Sequence, residues 1–267
     1  MNDNKTHDAL DSTSLKNIAL KALPLIDLTS LNETDTDAVI TKLCQDAHTP
    51  YGQVAAVCVY PKFVEHAKLW LKQEGSNVKV ATVTNFPNGG NDPHLAMKET
   101  ELARQYGADE IDIVFPYQAF MAGDRKIAQD LVQSCREACG DNLVLKVILE
   151  SGVMQSESDI RSASEICIEQ GADFLKTSTG KVAVNATLEA TGYMLDTIKQ
   201  SGKVVGFKAA GGIKTTEQAM DYLALAESIM GTDYLKANRF RFGASSLLNH
   251  LLASIEGRAH SSTNSGY

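Results

Sequence analysis

Apolar residues in this chain follow two spacings that take turns along its length. Short, unbroken runs of β-branched and small apolar residues recur, as in QVAAVCVY (53–60), VKVATVTNF (78–86) and LVLKVIL (143–149). Unbroken runs of this length have the composition of strands covered on both faces. Longer stretches between them carry apolar residues three and four apart, the spacing of one helix face. The pattern predicts helices over 14–23, 34–47, 61–74, 93–106, 126–138, 157–170, 188–200, 215–230 and 246–255. It predicts strands at LIDLTSLN and over 53–60, 78–86, 110–115, 143–149, 174–176, 203–208 and 239–243. Pro24 stops the first helix, Gly75 and Gly107 close later ones, and Thr215 with Gln218 has capping-box spacing. Thr34 and Asp37 have the spacing of an N-cap and its N3 acid.

Strands recur roughly every 25 to 35 residues with a helix between each pair, the period of βα units in a parallel sheet. Eight strands without the GxGxxG fingerprint of an open dinucleotide-binding sheet favour an α/β fold, a closed (β/α)8 TIM barrel with an extra N-terminal helix. An open sheet is the alternative. The chain reads as one barrel domain over 14–257, with a polar, disordered start (1–13) and a flexible Ser/Gly-rich tail (258–267). Two segments, GADEIDIV (107–114) and GADFLKTS (171–178), align so that Asp112 and Lys176 occupy the same place past a helix-ending glycine.

A net charge of −8 argues against nucleic-acid and anionic-membrane partners, so an anionic substrate needs locally placed lysines. No window approaches 18 consecutive apolar residues and the start has no apolar leader core, which predicts a soluble, cytoplasmic protein. The five cysteines lack CxxC spacing and read as reduced, structural thiols. The six histidines show no HxH or HxxxH spacing, so neither a metal nor another cofactor is expected.

Charges interrupt four of the apolar runs: Asp112 in EIDIVF, Lys146 in LVLKVIL, Lys176 in DFLKTS and Lys208 in VVGFKAA. An unpaired ion inside a barrel costs several kcal/mol, so each needs a partner or a purpose. Lys176 and Lys208 each precede a small-residue loop at a strand's carboxyl end, where barrels place their chemistry. Repulsion and desolvation lower the pKa of one of two neighbouring lysines, the condition for a Schiff-base amine, and Asp112 can then move protons. A structural ion pair is the alternative, and Lys146 reads equally as a mid-barrel salt bridge or a catalytic group. Three small-residue loops, STGK (178–181), GGIK (211–214) and GASS (243–246), follow strands six, seven and eight, and the loops after strands seven and eight are the usual phosphate site of this fold. They point to a phosphorylated substrate, with Lys181 and Lys214 supplying charge.

LIDLTSLN, VCVYP, ATVTNFP, ADEIDIVFPYQAFMAG, FLKTSTGKVAVNAT, VGFKAAGG and RFGASS, in this order, closely resemble the deoxyribose-phosphate aldolase family over about residues 23–247. The resemblance implies a metal-free Schiff-base aldolase that cleaves 2-deoxy-D-ribose 5-phosphate to D-glyceraldehyde 3-phosphate and acetaldehyde, in deoxyribonucleoside catabolism. It implies Lys176 as the imine-forming lysine, Lys208 as its electrostatic partner and Asp112 as the proton-transfer carboxylate. It puts Asp27, Thr29 and Thr179 near the sugar hydroxyls, and Gly180, Lys181, Gly211, Gly212, Gly243, Ser245 and Ser246 around the phosphate. Ala209 stands where many relatives have proline, and Lys214 holds a basic position that can be arginine. The resemblance further implies a monomer or homodimer, and Tyr267 matches tails that end in tyrosine. There it would be a proton shuttle, or the end of a tail with no such role. The other functions weighed are another lysine-dependent phosphosugar aldolase and a silent phosphosugar-binding protein.

Overall fold

Eight parallel strands pair edge to edge until the first meets the last. In the computed structural model they are β1 (Ile26–Thr29), β2 (Ala56–Val59), β3 (Lys79–Thr84), β4 (Glu110–Val114), β5 (Val144–Ile148), β6 (Phe174–Lys176), β7 (Gly206–Ala210) and β8 (Phe240–Ala244). Each pairs with its sequence neighbours and β1 pairs with both β2 and β8, which closes the barrel. The structure describes residues 12–154 and 156–258. The expectations for residues 1–11 and for the tail from 259 to Tyr267 lie outside the described residues.

Nine helices of ten residues or more are described: α1 (Ser12–Ala22), α2 (Asp37–Asp46), α3 (Val64–Gln73), α4 (Pro93–Gln105), α5 (Arg125–Cys139), α6 (Glu157–Glu169), α7 (Leu188–Ser201), α8 (Thr216–Met230) and α9 (Leu247–Glu256). Helix α1 is the extra element; it precedes β1 and packs on α8 and α9. Side-chain caps start most of the others, including Asp92 on α4, Asp124 on α5, Thr187 on α7 and the Thr215–Gln218 capping box on α8.

Three local expectations need correction. Thr36, rather than Thr34, caps α2, because Asp35 accepts from Ser30 Oγ and the Asn32 amide and holds the chain in a turn through residue 35. Strand β2 starts at Ala56 because Gly52–Gln53 pair antiparallel with His48–Thr49 in a separate hairpin. Strand β7 begins at Gly206 and runs past Lys208 to Ala210, so Lys208 lies in mid-strand.

Strand alternation splits the apolar residues into two bodies. Outward-facing residues such as Val57, Ile111, Ile113, Val147, Leu175 and Phe207 pack under the helices in the main core. Inside the barrel, Ala56, Cys58, Ala81 and Val83 of β2 and β3 form a small plug topped by Leu31. The remaining strands direct charges inward instead.

The repeated GAD segments have a structural explanation. Asp109 and Asp173 each accept from an amide of the preceding strand, Val80 or Leu145, at 2.8 Å, and each pairs with a cation on a helix, Lys68 or Arg136. The repeated acid therefore ties strand to helix. Three residues further on, the same register faces the barrel interior, where the two copies differ as Asp112 and Lys176.

Candidate active site

Seven charged side chains, all at most 7% exposed, meet inside the barrel: Asp27, Glu110, Asp112, Lys146, Lys176, Lys208 and Arg241. Period-two alternation puts Glu110 and Asp112 on one face of β4, and strand register sets Lys176 beside Lys208 and Lys208 beside Arg241. Asp112 lies at the centre. Its Oδ1 accepts from Lys146 Nζ at 2.8 Å, and its Oδ2 accepts from Lys176 Nζ at 2.9 Å and Lys208 Nζ at 2.8 Å.

The lysines are not equivalent. Lys208 touches two carboxylates, Asp112 and Asp27 Oδ2 (2.5 Å), and Lys146 touches Glu110 (2.6 Å) and Asp112, with Asp27 at 3.6 Å. Lys176 touches Asp112 alone. Burial works against the charged form of all three. For Lys208 and Lys146 the surrounding carboxylates outweigh burial and hold the ammonium above its ordinary pKa. For Lys176, burial together with the charge of Lys208 outweighs its one carboxylate, and its pKa falls. Burial raises Asp112, but the three lysines reverse this and hold its carboxyl well below the usual range. Lys176, the last residue of β6, is also the only one of the three lysines with any exposure, 3% against none.

The small residues make room for these stems. A Cβ on Gly243 would stand 2.9 Å from Lys208 Cε and 3.0 Å from Ala210 Cβ, so this glycine is where the Lys208 side chain passes. Gly211 has φ +88°, and Asn185 from the loop after β6 packs against it, which links two of the loops at the barrel mouth.

Above β5 and β6 a carboxylate not anticipated from sequence organises the mouth. Glu150 is fully buried with φ +57°, between the bonds from Leu149 N to Lys176 O and from Ser151 N to Thr177 O. Its two oxygens accept from Thr179 N at 3.2 Å and Thr179 Oγ1 at 2.5 Å, and Thr179 Oγ1 in turn accepts from Lys181 N. Glu150 thereby shapes the turn after Lys176. Losing it leaves two buried donors unmatched at about 1–3 kcal/mol each. A left-handed backbone costs a non-glycine residue about 1–2 kcal/mol. Urea denaturation should therefore show Glu150→Ala destabilised by about 2–4 kcal/mol and Glu150→Gly about 1 kcal/mol less affected. Equal losses would show that the backbone carries no strain there.

The other predicted residues are placed as follows. Both oxygens of Asp27 are engaged, Oδ2 by Lys208 and Oδ1 by Arg241 Nη1 at 2.5 Å, so it forms part of the ionic floor. Thr29, at the end of β1, donates to its neighbour's backbone, Asp27 O. Lys181 Nζ donates to Leu31 O at 2.8 Å, joining the loops after β6 and β1 across the mouth. Gly180, Gly212, Lys214 and Ser245 are exposed on the loops after β6, β7 and β8. Ser246 precedes α9 without a side-chain cap, which leaves first-turn N–H groups to an anion. Tyr267 lies outside the described residues. Glu110 and Arg241 were missed, although each carries a readable signal: Glu110 lies two residues before Asp112, and Arg241 two before Gly243. Glu150, one residue beyond a strand, has no periodic signal.

All three carboxylates of the floor are taken by cations, and no group of three His, Cys, Asp or Glu among the described residues is placed to hold a metal ion. No helix among the described residues is long and apolar enough to cross a membrane. All five cysteines are free and buried.

A family model for DeoC/LacD family aldolases matches residues 21–253. Among solved structures, a candidate deoxyribose-phosphate aldolase from Toxoplasma gondii ME49, in its apo form, superposes with TM-score 0.84 at 24% identity, over 92% of this chain and 99% of that one. An aldolase called QR15 matches at 29% identity and TM-score 0.72, over 86% of this chain and 96% of that one. The deoxyribose phosphate aldolase of Aeropyrum pernix, a tetramer, shares the fold at TM-score 0.72 and 21% identity, over 91% of this chain and 98% of that one.

Proposed function

The chain belongs to the DeoC/LacD family of aldolases, and from that premise we propose that it cleaves 2-deoxy-D-ribose 5-phosphate reversibly to D-glyceraldehyde 3-phosphate and acetaldehyde through a Schiff base on Lys176. The observation that carries the proposal is the inequality of the lysines. One amine, at the carboxyl end of β6, is held below its ordinary pKa beside a single carboxylate, while its neighbour Lys208 is held charged by two. A neutral amine is what carbonyl attack requires.

In this reading Lys176 Nζ adds to C1 of the open-chain sugar, and the carbinolamine loses water to give the iminium. The C3 hydroxyl then gives up its proton, C3 becomes a carbonyl, and the C2–C3 bond pair moves into the iminium to leave an enamine. Protonation at C2 and hydrolysis release acetaldehyde and restore the amine. Asp112, within hydrogen-bond reach of both Lys176 and Lys208, relays protons through water and holds Lys208 charged. The imine is itself the electron sink, so no metal is required. The plug of Leu31, Cys58 and Val83, with Tyr60 and Phe86 against it, supplies an apolar wall suited to the two-carbon aldehyde. Cytoplasmic deoxyribonucleoside breakdown is the setting this chemistry suits.

The phosphate would lie over the loops after β6, β7 and β8, where Lys181, Lys214 and the amides before α9 supply positive charge. Lys181 would then exchange its bond to Leu31 O for one to phosphate. Lys181→Met should raise KM for the phosphorylated sugar by about 10- to 100-fold, the worth of one charged hydrogen bond. Turnover of unphosphorylated deoxyribose should stay within about twofold, and equal losses on both sugars would remove Lys181 from the phosphate site.

Borohydride trapping with the sugar phosphate, followed by peptide mapping, tests the reaction class and the nucleophile together. The expected result is one adduct on Lys176 and acetaldehyde as product. An adduct elsewhere, activity lost with EDTA, or release of a different aldehyde would overturn the proposal.

A further inference from the structure

Beneath the reacting amine, Arg241 and Glu110 close the ionic floor without touching Lys176. The Arg241 guanidinium spans Asp27 Oδ1 at 2.5 Å and Glu110 at 2.8 and 3.2 Å, and Glu110 Oε2 also accepts from Lys146 at 2.6 Å. Asp27 and Lys146 carry these contacts on to Lys208 and Asp112. The joined groups are four potential cations (Lys146, Lys176, Lys208, Arg241) and three carboxylates (Asp27, Glu110, Asp112). The network is neutral only when one cation has given up its proton.

Which cation yields follows from the contacts. Arginine does not deprotonate in proteins, Lys146 and Lys208 each touch two carboxylates within 2.8 Å, and Lys176 touches one. Two other titratable groups face the amine. From β2 comes Cys58, whose thiol burial pushes up and keeps neutral, and β3 contributes Ala81 and Val83. Glu150, past β5, gives both oxygens to Thr179 and makes no ion pair with Lys176, so it is not one of the joined groups; burial raises its pKa while the Thr179 hydrogen bonds and Lys176 lower it.

We propose that Arg241 and Glu110 are positioning residues that set the protonation of Lys176 by charge balance: Arg241 supplies the surplus cation that makes the neutral amine the resting form, and Glu110 limits that surplus to one. The same surplus acts on the reaction, a role that rests on the Schiff-base reading above. The iminium restores a positive charge at Lys176, and breaking the C2–C3 bond discharges it, because the iminium π pair returns to nitrogen as the enamine forms. Charge balance therefore favours both the nucleophilic amine and the cleavage step.

The test follows the acid limb of two pH profiles in the full-length protein. One is the rate of cyanoborohydride trapping of acetaldehyde on Lys176, read by peptide mass, and the other is kcat/KM for 2-deoxyribose 5-phosphate. Arg241→Met should move both limbs up by about one pH unit, a tenfold loss at a fixed pH on the limb. Glu110→Gln should move both down by a similar amount, and the double variant should return to within about 0.3 unit of wild type. Arg241→Lys keeps the charge and should leave the limb in place even if the protein melts earlier. Limbs that stay put in the neutral variants, or that move the same way in both, would overturn the charge-balance proposal. If Arg241→Met does not fold, Glu110→Gln against Arg241→Lys decides it by the same readout. Wild type that traps acetaldehyde but does not cleave the sugar would sink the proposed substrate and leave this inference to the trapping profile.

Discussion

Lys176→Arg is expected to abolish both turnover and trapping while the protein remains folded. Arginine keeps a cation within reach of Asp112, so the ion pair at 2.9 Å has a replacement and the interior is not left with an empty stem. A guanidinium is protonated at every accessible pH and cannot attack a carbonyl. Turnover should fall by about 10⁴-fold or more, the scale on which loss of a covalent nucleophile acts in other enzymes. The decisive measurement is mass spectrometry after borohydride reduction. An adduct that persists on another lysine of the variant would show that the amine at the barrel mouth is not the nucleophile.

Asp112→Asn should have the second largest effect, divided between activity and stability. Three lysine nitrogens lie within 2.9 Å of this carboxylate, and the variant leaves Lys208 to Asp27, Lys146 to Glu110 and Lys176 with no carboxylate. Breaking a buried ion pair from one side costs about 3–5 kcal/mol, and loss of a general acid–base group costs about 10²–10⁴-fold in rate. The pH dependence has a definite sign. The folded pKa of Asp112 is depressed, by three lysines acting against burial, so its contribution is present above the unfolded value of about 3.9 and is lost as pH falls toward the folded value. Melting temperature should thus drop more steeply between about pH 4 and pH 2 in wild type than in Asp112→Asn. Parallel curves would show that Asp112 is not held ionised by the lysines.

These two outcomes separate the aldolase from a silent sugar-phosphate binder. A binder would tolerate Lys176→Arg with a change in affinity alone. The Glu150 and Lys181 variants address a different layer of the site, the loops that hold the far end of the substrate, and their effects should fall on stability and KM.

The barrel was legible because its strands and helices differ in local spacing. QVAAVCVY and LVLKVIL are recognisable without any long-range information, and most element ends fall within one or two residues of the observed ones. The larger errors arise where a distant or irregular contact intervenes, as in the 48–53 hairpin that shortens β2 and the Asp35 turn that delays α2. Charges inside apolar runs were legible for a related reason. A lysine in DFLKTS or VVGFKAA contradicts its surroundings, and such contradictions mark places where structure serves chemistry.

By itself, then, the sequence determined the kind of layers, their order, and the identity of Lys176, Lys208 and Asp112 as residues to be explained. It did not determine how their charges divide. Asp27 and Arg241 are 214 residues apart and become hydrogen-bonded only because β1 closes against β8. Coulomb interactions depend on distance through space, and the distances follow from strand register and barrel closure, which leave no trace in local periodicity. Only the tertiary structure decided that Lys208 faces two carboxylates and Lys176 one. That difference of a single contact selects the amine that can lose its proton.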